Sequence, residues 1–313
     1  MSQIDLARAV GHQEADQPVS WLKRDLLLYA LGIGAKHNDH RLVNELSKNW
    51  APFPTYPVVL VFKGADQDIN NFKKRIGGST APGLPKFDPN RGLHGTQSIE
   101  ILKRIPEVSG PGWKLTKRIV GVSENKSGIV LETESLLVDS QGTPYAKLYS
   151  SSFNLGAKAT GQKFTKRIAG PAQAKEIPKG RKPDWVVKDK TSSEQAVLYR
   201  LSGDYNGLHI DPTIGESAGF GGVILHGLST FGFAARAVVS AVGGGNPEAL
   251  TYFGVRFTSP VKPGDTLETS IWEIGPGPAG ATEVAFITKD VDSGKICLGA
   301  GIAYVKKSEK SKL

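Results

Sequence analysis

Residues 198–212 read Leu198-Tyr-Arg-Leu-Ser-Gly-Asp-Tyr-Asn-Gly-Leu-His-Ile-Asp-Pro212, and the chain soon continues as Gly222-Val-Ile-Leu-His-Gly-Leu-Ser-Thr-Phe-Gly-Phe-Ala-Ala235. The first stretch crowds Asp204, Asn206 and His209 into a glycine-interrupted turn that closes on Asp211-Pro212. A carboxylate and an imidazole held by one loop can share a water, one taking a proton from it while the other delivers a proton to a substrate. The second stretch carries only Arg236 as a charge before Glu248, so it predicts a helix from Gly222 that is enclosed on most sides. Gly227 lies near the N-terminal end of that helix, where backbone N–H groups lack intrahelical acceptors and carry partial positive charge. Such donors suit a carbonyl oxygen that becomes negative during reaction. Acid, base and oxyanion donor together fit addition or elimination of water beside a carbonyl. His226, inside the apolar stretch, reads as a structural histidine.

The block at 198–212 resembles the hydratase 2 signature of the (R)-specific 2-enoyl-CoA hydratases, the MaoC-like branch of the hot-dog fold, and Ile224-Leu-His-Gly-Leu228 resembles that family's second block. The resemblance implies that Asp204 and His209 activate water, that Asn206 helps fix the site and that Gly227 supplies the oxyanion N–H. It further implies ligand contacts at Tyr205, Gly207 and Leu208, at Phe257, at His94 and Gly95, and at Lys126. Gly207 departs from the proline of many members, which loosens the turn without removing a catalytic group. No metal and no redox cofactor is implied, since coenzyme A arrives as part of the substrate. By analogy the protein is a homodimer. A hot-dog thioesterase and a non-catalytic acyl-CoA binding module are the alternatives.

Length and composition fit this reading. The 313 residues suffice for one large or two ordinary domains. The net charge of +9 invites nucleic acid, but between residues 157 and 182 eight Lys and Arg residues face only Glu176. The excess therefore concentrates in one linker, and Phe164 alone interrupts it, which is no aromatic platform for bases. That linker is either solvated or drawn to coenzyme A phosphates. The single Cys297 excludes an intrachain disulfide and reads as core filler. Residues 217–235 lack charge but contain several glycines and His226, so a buried helix explains them better than a membrane span. No secretory signal is expected in the polar Met1-to-Pro18 stretch. Ser311-Lys312-Leu313 matches the peroxisomal address, which implies an import receptor as partner and the peroxisomal matrix as destination.

The chain also echoes itself. Leu28-Tyr-Ala-Leu-Gly-Ile-Gly34 parallels Leu198-Tyr-Arg-Leu-Ser-Gly-Asp204, 170 residues on, and later echoes fall at shorter offsets, as a duplicated module with unequal loops requires. Residues 20–34 predict a helix capped by Ser20. In this first copy Gly34 stands where Asp204 would be, and Val58-to-Phe62 is a shortened central helix that leaves room inside. Alternation over 128–153 and again over 253–305 predicts antiparallel hairpins. The expected architecture is α+β, two tandem hot-dog modules, each an antiparallel sheet wrapped on a helix, with the first sheet extending into the second. Their bounds are 1–156 for the degenerate module, 157–186 for the basic linker and 187–313 for the catalytic module with its targeting tail.

Overall fold

A computed structural model describes residues 4–66, 68–75, 79, 81–88 and 91–307. The Ser311-Lys312-Leu313 address lies outside the described residues. Eleven strands form one antiparallel sheet: β1 (Gln17–Pro18), β2 (Gly92–Ile101), β3 (Lys114–Asn125), β4 (Gly128–Val138), β5 (Pro144–Leu155), β6 (Phe164–Arg167), β7 (Trp185–Lys190), β8 (Leu250–Phe257), β9 (Thr266–Pro276), β10 (Thr282–Asp290) and β11 (Ile296–Val305). Eight α-helical segments accompany them: α1 (Leu6–Ala9), α2 (Lys23–Gly32), α3 (His40–Val43), α4 (Leu60–Lys63), α5 (Phe72–Arg75), α6 (Gln195–Tyr199), α7 (Pro212–Ser217) and α8 (Gly227–Ala241).

The sheet runs β1-β3-β4-β5-β2-β8-β11-β10-β9-β7, with β6 beside β3. This order reads the same from both ends once each strand is exchanged for its counterpart in the other half, so the duplication seen in the sequence is a duplication of topology. The halves meet at β2 and β8, paired from Thr96 opposite Arg256 to Glu100 opposite Tyr252. The counterpart tyrosines of the echoed phrase, Tyr29 and Tyr199, face each other across the same interface with ring centroids 6.1 Å apart.

α8 is the axis of the core. Phe231, Ala234, Ala235 and Val238 on it are completely buried, and each large apolar side chain so removed from water contributes roughly 1.5–3 kcal/mol. Its small residues set how closely the first module approaches: a Cβ on Gly232 would sit 2.1 Å from Ile33 Cγ2. The C-terminal carbonyls of α2, which have no intrahelical donors, are taken by side chains of the second module. Ser229 Oγ donates to Gly32 O at 2.8 Å, Gln195 Nε2 to the same oxygen at 2.9 Å and Arg236 Nη1 to Ile33 O at 3.2 Å. Gly34 turns away with φ +87°, and a Cβ there would meet the Phe233 ring at 2.2 Å. The position that matches Asp204 in the first copy is thus filled by an aromatic ring from the second.

Two sequence expectations are corrected. The central helix starts at Gly227, not Gly222, because Gly222 has a positive φ of 116°, residues 223–226 form no helical turn, and Leu225 N–H is bound by Val261 O at 2.8 Å. α2 starts at Lys23, and the acceptor that caps it is the Asp25 carboxylate, 2.8 Å from Leu22 N, whereas Ser20 Oγ donates to Ala65 O. The connection between modules is exposed over most of its length, as a solvated linker would be, but it is not without structure. It contributes β6 to the edge of β3, Arg167 Nε bonds the Glu132 carboxylate at 2.7 Å, and Glu124 accepts the backbone N–H groups of Ala159, Thr160 and Gly161. The shortened helix of the first module appears as a 3-10 turn, Tyr56–Val59, running into α4.

Candidate active site

Asp204 follows Gly203, whose φ of +129° and lack of a side chain let the chain lie against Lys63; a Cβ there would come within 2.7 Å of Lys63 Cβ. The carboxylate then accepts the backbone N–H of Asn206 at 3.2 Å. Asn206 Oδ1 accepts Leu208 N at 3.1 Å and caps the 3-10 turn Gly207–His209. Asn206 thus links the two residues, through its backbone on one side and its side-chain oxygen on the other. The turn carries His209 inward, where Nδ1 bonds the Ile224 carbonyl at 2.9 Å. A carbonyl only accepts, so Nδ1 carries the proton and Nε2 is left as the basic nitrogen.

His226 sits behind this pair at the N-cap of α8, 1% exposed. Its ring stacks on His209 with centroids 3.7 Å apart and planes at 26°. Its Nε2–H donates to the backbone carbonyl of Asp204 at 3.1 Å, so one buried imidazole touches both partners. The sequence predicts a satisfied structural histidine at His226; it is buried as expected, but only Nε2 is bonded and Nδ1 has no hydrogen-bond partner among the described residues. Nitrogen and oxygen atoms of Asp204, His209 and His226 lie within 4.8 Å of one another. Two nearly parallel stacked rings nevertheless aim their in-plane lone pairs along separate planes, which is poor geometry for joint ligation of one ion at roughly 2.1 Å.

Electrostatics follow from burial. Burial pushes the Asp204 carboxyl up, opposed by His209 and by the Asn206 N–H; burial pulls the His209 imidazole down, opposed by the Asp204 charge and the Ile224 carbonyl. His226 is held well below the ordinary imidazole value, first by burial and then by His209. Burial thus favours the neutral form of both rings. The site is therefore poised to gain a proton at His209 only during reaction.

A cavity of about 880 Å³ opens onto these groups, and both modules line it. Asp204, Asn206, Leu208, His209, Gly227 and Phe257 come from the second module, and His94 and Gly95 from β2 of the first. The Phe257 ring lies 4.7 Å from the His94 ring, and a Cβ on Gly227 would stand 3.2 Å from Phe257, so this aromatic fixes the space in front of the α8 N-terminus. His94 is exposed at the start of β2, yet desolvation by the groups around it lowers its pKa to about 4, opposed by its bonds to Gln97 and Thr96. The structure does not bring every expected residue to the wall. Tyr205 packs edge-on against Phe72 at 5.9 Å under Arg200, Gly207 lies over Ile214, and Lys126 is exposed at the β3–β4 turn beside the lining residue Asn125.

Other lining residues had no local signal in the sequence. Phe62 and Phe72 come from the ends of short helices, and Thr165 and Arg167 from β6 in the basic connection. Their place depends on strand pairing far along the chain. Cys297 also reaches the wall, but burial pushes its thiol up to about 12 and Sγ donates to Thr288 O, consistent with core filler.

Comparison with known proteins divides the chain in the same two halves. Residues 20–156 match the MFE-2 hydratase 2 N-terminal domain and residues 174–294 the MaoC like domain. A probable enoyl-CoA hydratase 2 of Dictyostelium discoideum is 33% identical over 99% of this chain and 99% of its own length. The peroxisomal enoyl-CoA hydratase 2 of Arabidopsis thaliana is 33% identical, with 84% of this chain and 85% of that protein covered. The crystal structure of a MaoC-like dehydratase from Phytophthora capsici superposes with a TM-score of 0.86 at 35% identity, covering 99% of this chain and all of that one.

Proposed function

Since the chain belongs to the MaoC-like hydratase 2 family, we propose that it is a hydro-lyase that reversibly hydrates trans-2-enoyl-CoA to (3R)-3-hydroxyacyl-CoA in peroxisomal β-oxidation. The observation that carries this reading is the meeting of Asp204, His209 and the α8 N-terminus at one cavity wall. The enoyl thioester enters that cavity with its carbonyl oxygen toward Gly227 N–H and its C2–C3 bond before the carboxylate and imidazole. His209 Nε2, held basic by the Nδ1 bond to Ile224 O, and Asp204 hold one water. As the water oxygen adds to C3, the pair removes its proton and returns a proton to C2, while negative charge on the thioester oxygen is met by the helix N-terminus.

No metal or redox cofactor takes part in this reading, which needs only proton transfer. The finer assignments rest on the resemblance: the (R) configuration, a homodimer, and delivery to the peroxisomal matrix by an import receptor that reads Ser311-Lys312-Leu313. The test is purified protein with enoyl-CoAs of graded length. Loss of enoyl absorbance without release of free thiol, and an (R) product on chiral analysis, is expected. Thiol release would make the protein a thioesterase, and binding with unchanged absorbance would make it a carrier.

A further inference from the structure

Among the described residues a second cleft, of about 250 Å³, lies where exchange of the two modules would carry the catalytic cavity. The catalytic cavity uses the end of β8, the loop 258–261 after it, the start of β11 and the start of β2. The smaller cleft uses the end of β2, the loop 102–105 after it, the start of β5 and the start of β8. These are the counterpart elements in the palindromic strand order, so the cleft holds in the first module the place that the catalytic cavity holds in the second.

It lacks the groups of the catalytic site, for reasons visible at single residues. Gly34 stands at the counterpart of Asp204 beneath the Phe233 ring. Where the second module offers Gly227 N–H, the first has Pro52, Pro54 and Pro57 leading into its 3-10 turn, and proline has no N–H to give an oxyanion. What it holds is a shaped apolar floor with a cationic rim. Ile101, Ile105, Leu250 and the Tyr145 ring form the floor, together with the prolines. Lys103, Arg104 and Lys306 stand at the rim against Glu248. Glu248 is taken by Arg104 at 3.0 Å, and Lys103 Nζ lies 5.6 Å from the Tyr145 ring centroid. Within the cleft Lys103 and Lys306 outnumber the remaining carboxylates, with Asp139 attracting Lys103 from outside it.

We propose that this cleft binds short alkyl carboxylates, with the tail against the prolines and Ile101 and the carboxylate before Lys103 and Lys306. The volume fits a chain of moderate length and is too small for an acyl-CoA. The excess charge selects the anionic head.

The test is titration calorimetry of the full chain with sodium octanoate, alone and after saturation with a thioether analogue of an enoyl-CoA whose own binding is measured first. Octanoate is expected to bind one site that the analogue leaves free. Lys103→Glu with Lys306→Glu should weaken octanoate by roughly tenfold or more through charge reversal, with unchanged circular dichroism and unchanged hydration of crotonyl-CoA. Octan-1-ol should bind correspondingly less well than octanoate. Displacement of octanoate by the analogue overturns the proposal, as does equal affinity for octan-1-ol or for the double variant, or no binding by the native chain. If the analogue itself fails to bind, the hydratase reading falls, while the charge-reversal comparison still decides this one.

Discussion

At the scale of single residues the site is a set of opposed electrostatic demands. Asp204 is set in a wall that disfavours its charge, and burial raises its carboxyl above the ordinary 3.8. A group raised on folding contributes stability below its unfolded pKa and loses that contribution as pH rises through the folded value, so ionisation of this carboxyl costs stability. Asp204→Asn keeps an acceptor for Asn206 N–H and removes the charge. Turnover should fall roughly 10²–10⁴-fold, and the Tm at pH 7.5 should stay level or rise; a clear drop in Tm contradicts the burial argument. His209 has the opposite sign, lowered from 6.5 by burial, so its contribution to stability is present above 6.5 and lost as pH falls. The acid limb of kcat/KM should accordingly lie below 6.5, and a limb above that value would show that a charged partner outweighs desolvation. His226→Phe retains a ring on His209 but leaves the Asp204 carbonyl without its donor. A buried acceptor left unmade costs about 1–3 kcal/mol; here that strain is expected to lower kcat with little change in KM. That Asp204 and His209 come together was legible in sequence because both sit within six residues of one turn. The support from His226 was not, since its contacts depend on how the turn folds over the α8 N-terminus.

At the scale of elements, legibility followed periodicity. β4 and β5 stand where alternation placed them, and α8 was foreseen from its freedom from charge, but its start was read five residues early because the residues from Gly222 are as apolar as the helix. The edge strand β6 was missed altogether: four residues rich in cations carry no alternation, and only the free edge of β3 makes them a strand. α8 gives the clearest test of packing. Gly232→Ala places a Cβ against Ile33, and although alanine favours a helix over glycine by about 1 kcal/mol, overpacking in a full core costs roughly 1–3 kcal/mol. Clash should win, and thermal unfolding should show a lower Tm than the native chain. A Tm at or above native would mean that the α2 end gives way without strain. The buried Glu124 offers a second test at this scale. Burial alone would raise its carboxyl, yet the bonds from residues 159–161 hold it below 4.5, so its contribution is present above that pH and lost in acid. Glu124→Gln, which keeps only part of this acceptor capacity, should speed amide exchange in residues 159–167 while leaving α8 unchanged.

At the scale of the whole molecule, the two modules are unequal partners in one core. The first has Gly34 at the counterpart of Asp204 and a short 3-10 turn at the counterpart of α8, yet it supplies β2 with His94 and Gly95, and it receives from Ser229, Gln195 and Arg236 the donors that finish α2. The duplication could be read from echoed phrases, but this exchange of caps could not, since no periodicity within one module reports a bond to the other. Its consequence can be checked by division of the chain. Residues 187–313 carry every group assigned to the chemistry, so if catalysis were local to them the fragment alone would hydrate enoyl-CoA. The structure argues otherwise: the fragment exposes the β8 edge that β2 covers, leaves the apolar flank of α8 at Gly232 without Ile33, and opens half of the cavity wall to water. Misplacement of a catalytic group by about an ångström already costs on the order of 10²-fold, and loss of a wall costs positioning as well as dryness. The fragment is expected to be inactive to at least that extent and to lack the near-ultraviolet dichroism of packed aromatics. Co-expression of residues 1–186 should restore activity, because the β2–β8 ladder and the α2 caps can form between two chains as they do within one.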